Sequence, residues 1–202
     1  TTESRGLGDV YKRQTYIYQL ERQIISILLK YGAEEILFED IILSKDENGK
    51  LIETKKDIRS KVFEKVYLDL QQDEIEFTHS PFKSIYNKLI DGFHNNESLS
   101  IDNFINDLDS NSSKIVSDIL INDDKYQLHD WERKNIYVKK IGSELSQLVN
   151  ETILNMRRYL IDKKINELQE FQKDGSKLDV LDEVMSYYKL KKMLSAKLNR
   201  VV

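Results

Sequence analysis

The side chains that could do chemistry in this chain are few and scattered. Its three histidines, His79, His94 and His129, lie far apart, and there is no cysteine. Zinc sites draw imidazole and thiolate ligands from short paired spacings, which nothing here reproduces. One close acidic pair, Asp107-Leu108-Asp109, could hold a divalent cation. It stands at an expected helix end beside Ser110-Asn111-Ser112-Ser113, where aspartate is common for local reasons. Neither form of glycine-rich phosphate loop occurs. Arg157-Arg158 and Lys163-Lys164 could touch phosphate, but Glu151, Asp162 and Glu167 are interspersed as on a solvated helix face. These residues offer surfaces rather than an active site. No catalytic residue, cofactor or metal is expected among them.

The bulk numbers agree with a helix-rich chain. Of 202 residues, 33% are charged and 40% hydrophobic, with no apolar run long enough to span a bilayer. No disulfide is available, which suits a reducing compartment, and a cytoplasmic location without membrane contact is expected. The net charge of −4 is unevenly spread. Residues 15–138 carry 15 basic against 24 acidic side chains, whereas residues 139–202 carry 13 against 9. An acidic body argues against phosphate-backbone binding as the main task.

Positioning elements are read from periodicity. Residues 1–14 share nothing with the rest of the chain, and Asp9-Val10-Tyr11-Lys12-Arg13-Gln14 looks like translated sequencing adapter. They are expected to be an artefact or a disordered tag on a fragment of a longer protein. Thr15–Tyr31 repeats apolar residues at three- and four-residue steps and stops at Gly32, so the spacing predicts a capped helix. The run Ile36–Leu43 reads as either a helix start or a strand, and Asn48-Gly49 favours a tight turn, so residues 36–56 fit a small β-hairpin or an ordered loop. The spacing predicts a helix over Lys56–Leu70, another from Ser80-Pro81 with Ser80 as cap, and short ones from Ser100 and from Ser112 or Ser113. Residues 15–122 therefore read as a compact helical bundle. Residues 123–142 form a linker holding the only tryptophan, Trp131, among Tyr126, Leu128, Ile136 and Tyr137.

Residues 143–202 read as a helical hairpin. The run from Ser143 to Phe171 contains no Gly or Pro, a rod of roughly 40–45 Å at 1.5 Å per residue. A break at Lys173-Asp174-Gly175-Ser176 precedes a second helix whose apolar residues exceed what one narrow seam buries. Leu178, Leu181, Val184, Met185, Tyr188, Met193, Leu194 and Leu198 are all candidates. Adjacent Tyr187 and Tyr188 point to different faces, so apolar surface is left for a partner. The fold class is all-α: a helical bundle followed by a protruding long-helix hairpin, with the small hairpin or loop near residues 36–56.

This order of parts resembles the C-terminal helicase-interaction region of bacterial DNA primase of the DnaG type. The resemblance rests on the run Leu20–Leu29, on Phe82-Lys83-Ser84-Ile85-Tyr86, on Leu128-His129-Asp130-Trp131-Glu132 and on Tyr188-Lys189-Leu190-Lys191-Lys192-Met193-Leu194. It implies that the hairpin docks on the N-terminal domains of the hexameric replicative helicase, recruiting primer synthesis to the fork. Met185, Tyr187, Tyr188, Lys191, Leu194 and Leu198 are then the candidate contacts. It also implies that the parent is an enzyme whose zinc- and magnesium-dependent domains lie upstream, and that location is at the bacterial replisome. A second reading is a helicase-N-terminal-like or other module that associates with itself through the hairpin.

Overall fold

The computed structural model describes residues 2–45, 51–95, 100–127, 141–173 and 179–200. Its elements are helix α1 (Thr2–Tyr31), strands β1 (Glu35–Lys45) and β2 (Leu51–Lys61), and helices α2 (Val62–Gln72), α3 (Ser80–His94), α4 (Ile101–Asn106), α5 (Ser110–Gln127), α6 (Ile141–Lys173) and α7 (Asp179–Arg200). The fold is all-α with one small β-hairpin. Trp131 and His129 lie outside the described residues. Two compact units emerge, one of residues 21–149 and one of residues 1–20 with 150–202. This division differs from the sequence-based one: residues 1–20 cluster with α6 from Asn150 onward and with α7.

The first helix does not begin at Thr15. It runs back to Thr2, continuing through Gly6 and Gly8 although glycine is a weak helix former. Within the unit of residues 21–149, Ile24, Ile25, Ile27 and Leu28 of α1 are buried. Val62, Phe63, Val66 and Leu70 of α2 and Phe82, Ile85 and Leu89 of α3 are buried in the same unit.

Residues 56–61, expected to open a helix, are strand. β1 and β2 pair antiparallel in the register Glu35↔Lys61 through Lys45↔Leu51, with Phe38 opposite Ile58. Along β1, Ile36 and Phe38 are buried while Leu37 and Glu39 are exposed, the period-two pattern of a half-covered strand. The ladder ends where Val62 N–H donates to Glu34 O (2.9 Å) and Phe63 N–H to Gly32 O (3.0 Å). There α2 starts, with Glu64 reaching back to accept from Lys61 N–H (3.3 Å) and Ser60 Oγ (3.1 Å).

Local chemistry sets the remaining helix starts. Pro81 lies in the first turn of α3 as expected, but the cap position is His79, one residue earlier than expected. At α5 the helix starts at Ser110, ahead of Ser112, because Asp109 caps it. Its Oδ1 accepts from Asn111 N–H and Ser112 N–H (both 3.0 Å), and its Oδ2 from Ser112 Oγ (2.6 Å). The Ser112 hydroxyl, then its amide, hold the Asp109 carboxyl below the usual carboxylate range.

Tyr86 of α3 titrates away from its ordinary value. Burial, with Tyr67 adding a smaller electrostatic push, raises its phenol from 10.0 to about 12. A raised folded value means that the native state holds its proton more tightly than the unfolded chain. The associated stability is fully present below pH 10.0 and is lost as pH rises toward about 12. The loss of thermal stability from neutral pH into that window should therefore be smaller in Tyr86→Phe than in the unsubstituted protein. Parallel alkaline loss in the two proteins would contradict it.

Candidate docking surface

α6 runs unbroken through Arg157-Arg158 and Lys163-Lys164. Its 33 residues make a rod of about 50 Å. Its later turns lie antiparallel to α7. Asp162 pairs with Lys191, and seven residues further along, Gln169 Nε2 donates to Tyr188 Oη at 3.2 Å. Along this seam Ile161, Ile165 and Leu168 of α6 bury in one core with Val184 and Leu194 of α7, with Leu154 and Tyr187 partly covered alongside. The inward residues of α7 thus fall at 184, 187, 191, 194 and 198, the three- and four-residue steps of one helix face.

That seam divides the six candidate contact residues. Leu194 is only 7% exposed and belongs to the core. Tyr187 packs on the same core, Lys191 is held by Asp162, and Leu198 is half-buried. Met185 (53% exposed) and Tyr188 (48%) remain on the outside. Leu181, 52% exposed, joins them four residues before Met185 and completes a stripe at steps of four and three. Sequence reasoning counts Leu181 among the surplus apolar residues but leaves it out of the contact set. The 181–185–188 spacing is the signal that could have placed it there.

Tyr188 also lines a groove of about 590 Å³ within the same unit. Tyr16 and Tyr159 form part of its wall, their rings 6.2 Å apart and tilted by 47°. Arg158, Lys163, Glu167 and Glu170 edge it with both signs of charge. Nothing in the sequence ties Tyr16 to the hairpin.

Among the described residues, the titratable side chains that the sequence singles out make contacts within the fold. His79 Nδ1 lies 2.7 Å from Glu21 Oε2, and His94 Nδ1 lies 2.9 Å from Ile90 O. Asp109 is a helix cap, and the carbonyl of Asp107 accepts from Lys88 Nζ (2.6 Å). Among the described residues no three His, Asp or Glu side chains converge on a possible metal position. Sequence reasoning misses Glu21 altogether. It is fully buried, and its carboxylate takes the amide of Thr78 (2.6 Å), the hydroxyl of Thr78 (2.7 Å) and the amide of His79 (3.2 Å). It therefore supplies acceptors at the start of α3 from fifty-seven residues away.

Fold and surface together define an all-α chain, one unit of which holds a long antiparallel helix pair with an apolar outer stripe. Its sequence matches the family described as "Domain of unknown function (DUF8430)" over residues 9–201, and the chain belongs to that family. The match includes residues 9–14, part of the segment that composition set apart. No curated protein and no solved structure matches the chain. Among the described residues no helix is long and apolar enough to cross a membrane.

Proposed function

We propose that this chain is a protein-docking module whose contact surface is the outer face of α7. The observation that carries the reading is the stripe of Leu181, Met185 and Tyr188, three large apolar side chains left about half-exposed on one helix face. Adaptable Met and amphipathic Tyr are the residue types that partner-binding faces use. The resemblance to the C-terminal region of bacterial DNA primase supplies the partner: the N-terminal domain of the hexameric replicative helicase. On this reading the module recruits its parent to the replication fork, and primer synthesis belongs to parts of the parent outside these residues.

Titration of the chain with the helicase N-terminal domain from the same genome tests this. Binding is expected at micromolar concentrations, and absence of binding at about 50 µM would sink the helicase reading. Met185→Asp and Tyr188→Asp are each expected to weaken binding at least about tenfold, the scale of a residue worth about 1.4 kcal/mol, with helicity unchanged. Leu194→Asp should behave differently. It places a charge in the α6–α7 core and is expected to reduce helicity and lower the melting temperature. If Leu194→Asp lost only binding and kept its melting temperature, the assignment of inward and outward faces would be wrong.

A further inference from the structure

The charges on α7 are sorted along its length. Asp182 and Glu183 precede the centre of the apolar stripe, and Lys189, Lys192 and Lys197 follow it. Asp182 and Lys189 are seven residues apart, which is two helical turns, so both stand on the same flank of the stripe. Both are exposed, and among the described residues neither side chain carries an ion pair. A helix acidic in one half and basic in the other complements a second copy of itself laid antiparallel. Laid parallel in register, it would put acidic half beside acidic half and basic half beside basic half, which repel.

We propose that the outer face of α7 pairs with the same face of a second copy of this chain. The two helices run antiparallel across a two-fold axis that passes between Met185 and Ser186. In such an isologous pair each flank meets the same flank of the other helix. Residues 182 and 189 are equidistant from the axis, so Asp182 of each protomer meets the partner's Lys189, giving two identical ion pairs. Met185 lies at the centre, with Leu181 and Tyr188 one turn to either side. One helix face per protomer is small beside the roughly 800 Å² per partner of a standard interface, so association is weak and concentration-dependent. Self-pairing covers the same stripe that a different protein would use, and such a partner must then displace the second copy. The inference uses that stripe but does not require the helicase to be the partner.

Sedimentation velocity on the full chain, from about 10 to about 500 µM, tests it. The expected result is a reversible dimer that Met185→Asp abolishes. Asp182→Lys and Lys189→Asp each replace two attractions by two repulsions and should weaken the dimer about tenfold. The double variant Asp182→Lys/Lys189→Asp restores the opposite-charge pattern and should return the affinity to within about twofold of the starting value. Circular dichroism of the two single variants checks that each keeps the helicity of the starting protein. A chain that stays monomeric throughout overturns the proposal. So does a dimer that survives Met185→Asp, or a double variant no better than its singles. The helicase reading fails separately, if the helicase domain does not bind while the dimer still forms.

Discussion

Glu21→Ala is expected to destabilise the protein by about 3 kcal/mol, the scale of removing one partner from a buried hydrogen-bonded charge. Three donors converge on this carboxylate: Thr78 N–H, Thr78 Oγ and His79 N–H. Its side chain is fully buried, so water does not readily replace what it accepts. Alanine would leave the backbone donors at the start of α3 without their acceptor, and a hydrogen bond to a charged group is worth about 1.5–3 kcal/mol. Glu21→Gln keeps the shape but turns an amide NH₂ toward donors, and should lose an intermediate amount. His79→Ala should cost least, because the imidazole is 34% exposed and the carboxylate keeps the two amides and the Thr78 hydroxyl. Urea unfolding of the three variants gives the ranking. A Glu21→Ala loss below about 1 kcal/mol would mean that water or a rearranged loop takes over the carboxylate's role.

That contact also shows where sequence reading stops. Helical segments are legible because their apolar residues repeat at helical steps and because Pro81 punctuates the chain. Those signals place α3 to within a residue. Its true cap is hidden because the acceptor sits on another helix, and no local pattern links Glu21 to Thr78. The β-hairpin is obscured for a different reason. Ile58 and Val62 are four residues apart, so the last apolar inward position of β2 imitates the first turn of α2. Only pairing with β1, which sets Ile58 opposite Phe38, separates the two elements.

α7 shows the same limit on the functional side. Its sequence is apolar on more than one face, so the surplus is readable but its direction is not. The face that turns inward depends on Ile161, Ile165 and Leu168 of α6, which bury Val184 and Leu194 and draw Tyr187 partly under cover. Met185 and Tyr188 are outward by consequence, and Leu181 joins them through its spacing. A contact set drawn from the sequence therefore mixes seam and surface residues. The two groups predict opposite outcomes for a charged substitution: lost folding at 194, lost docking at 185 and 188.

Gly32→Ala is expected to cost about 3 kcal/mol, the upper end of overpacking penalties, for a reason the sequence reading does not contain. A glycine just after a helix usually signals a left-handed cap residue. Gly32 is not in that region of backbone space; among the described non-glycine residues only Glu74 has a positive φ. What Gly32 provides is space. A Cβ there would stand 2.5 Å from Leu28 O and 2.6 Å from Phe93 Cε2, and would meet Phe93 Cζ more closely still. Neither neighbour yields easily. Leu28 O is backbone and already accepts from Gly32 N–H at 3.0 Å, while the Phe93 ring stacks on Phe63 with centroids 4.9 Å apart. Phe63 in turn donates its N–H to Gly32 O, so α1, the start of α2 and the end of α3 meet at one point. Gly32→Asn separates the two explanations. Asparagine tolerates the left-handed conformation and would be the mildest substitution if that were the role of the site. Because the constraint is steric, Asn should destabilise at least as much as Ala. Phe93→Leu in the Gly32→Ala background should recover only part of the loss, since removing the ring leaves Leu28 O where it was. Thermal unfolding of these variants decides the matter, and an Asn variant more stable than the Ala variant would return Gly32 to the role of a conformational cap.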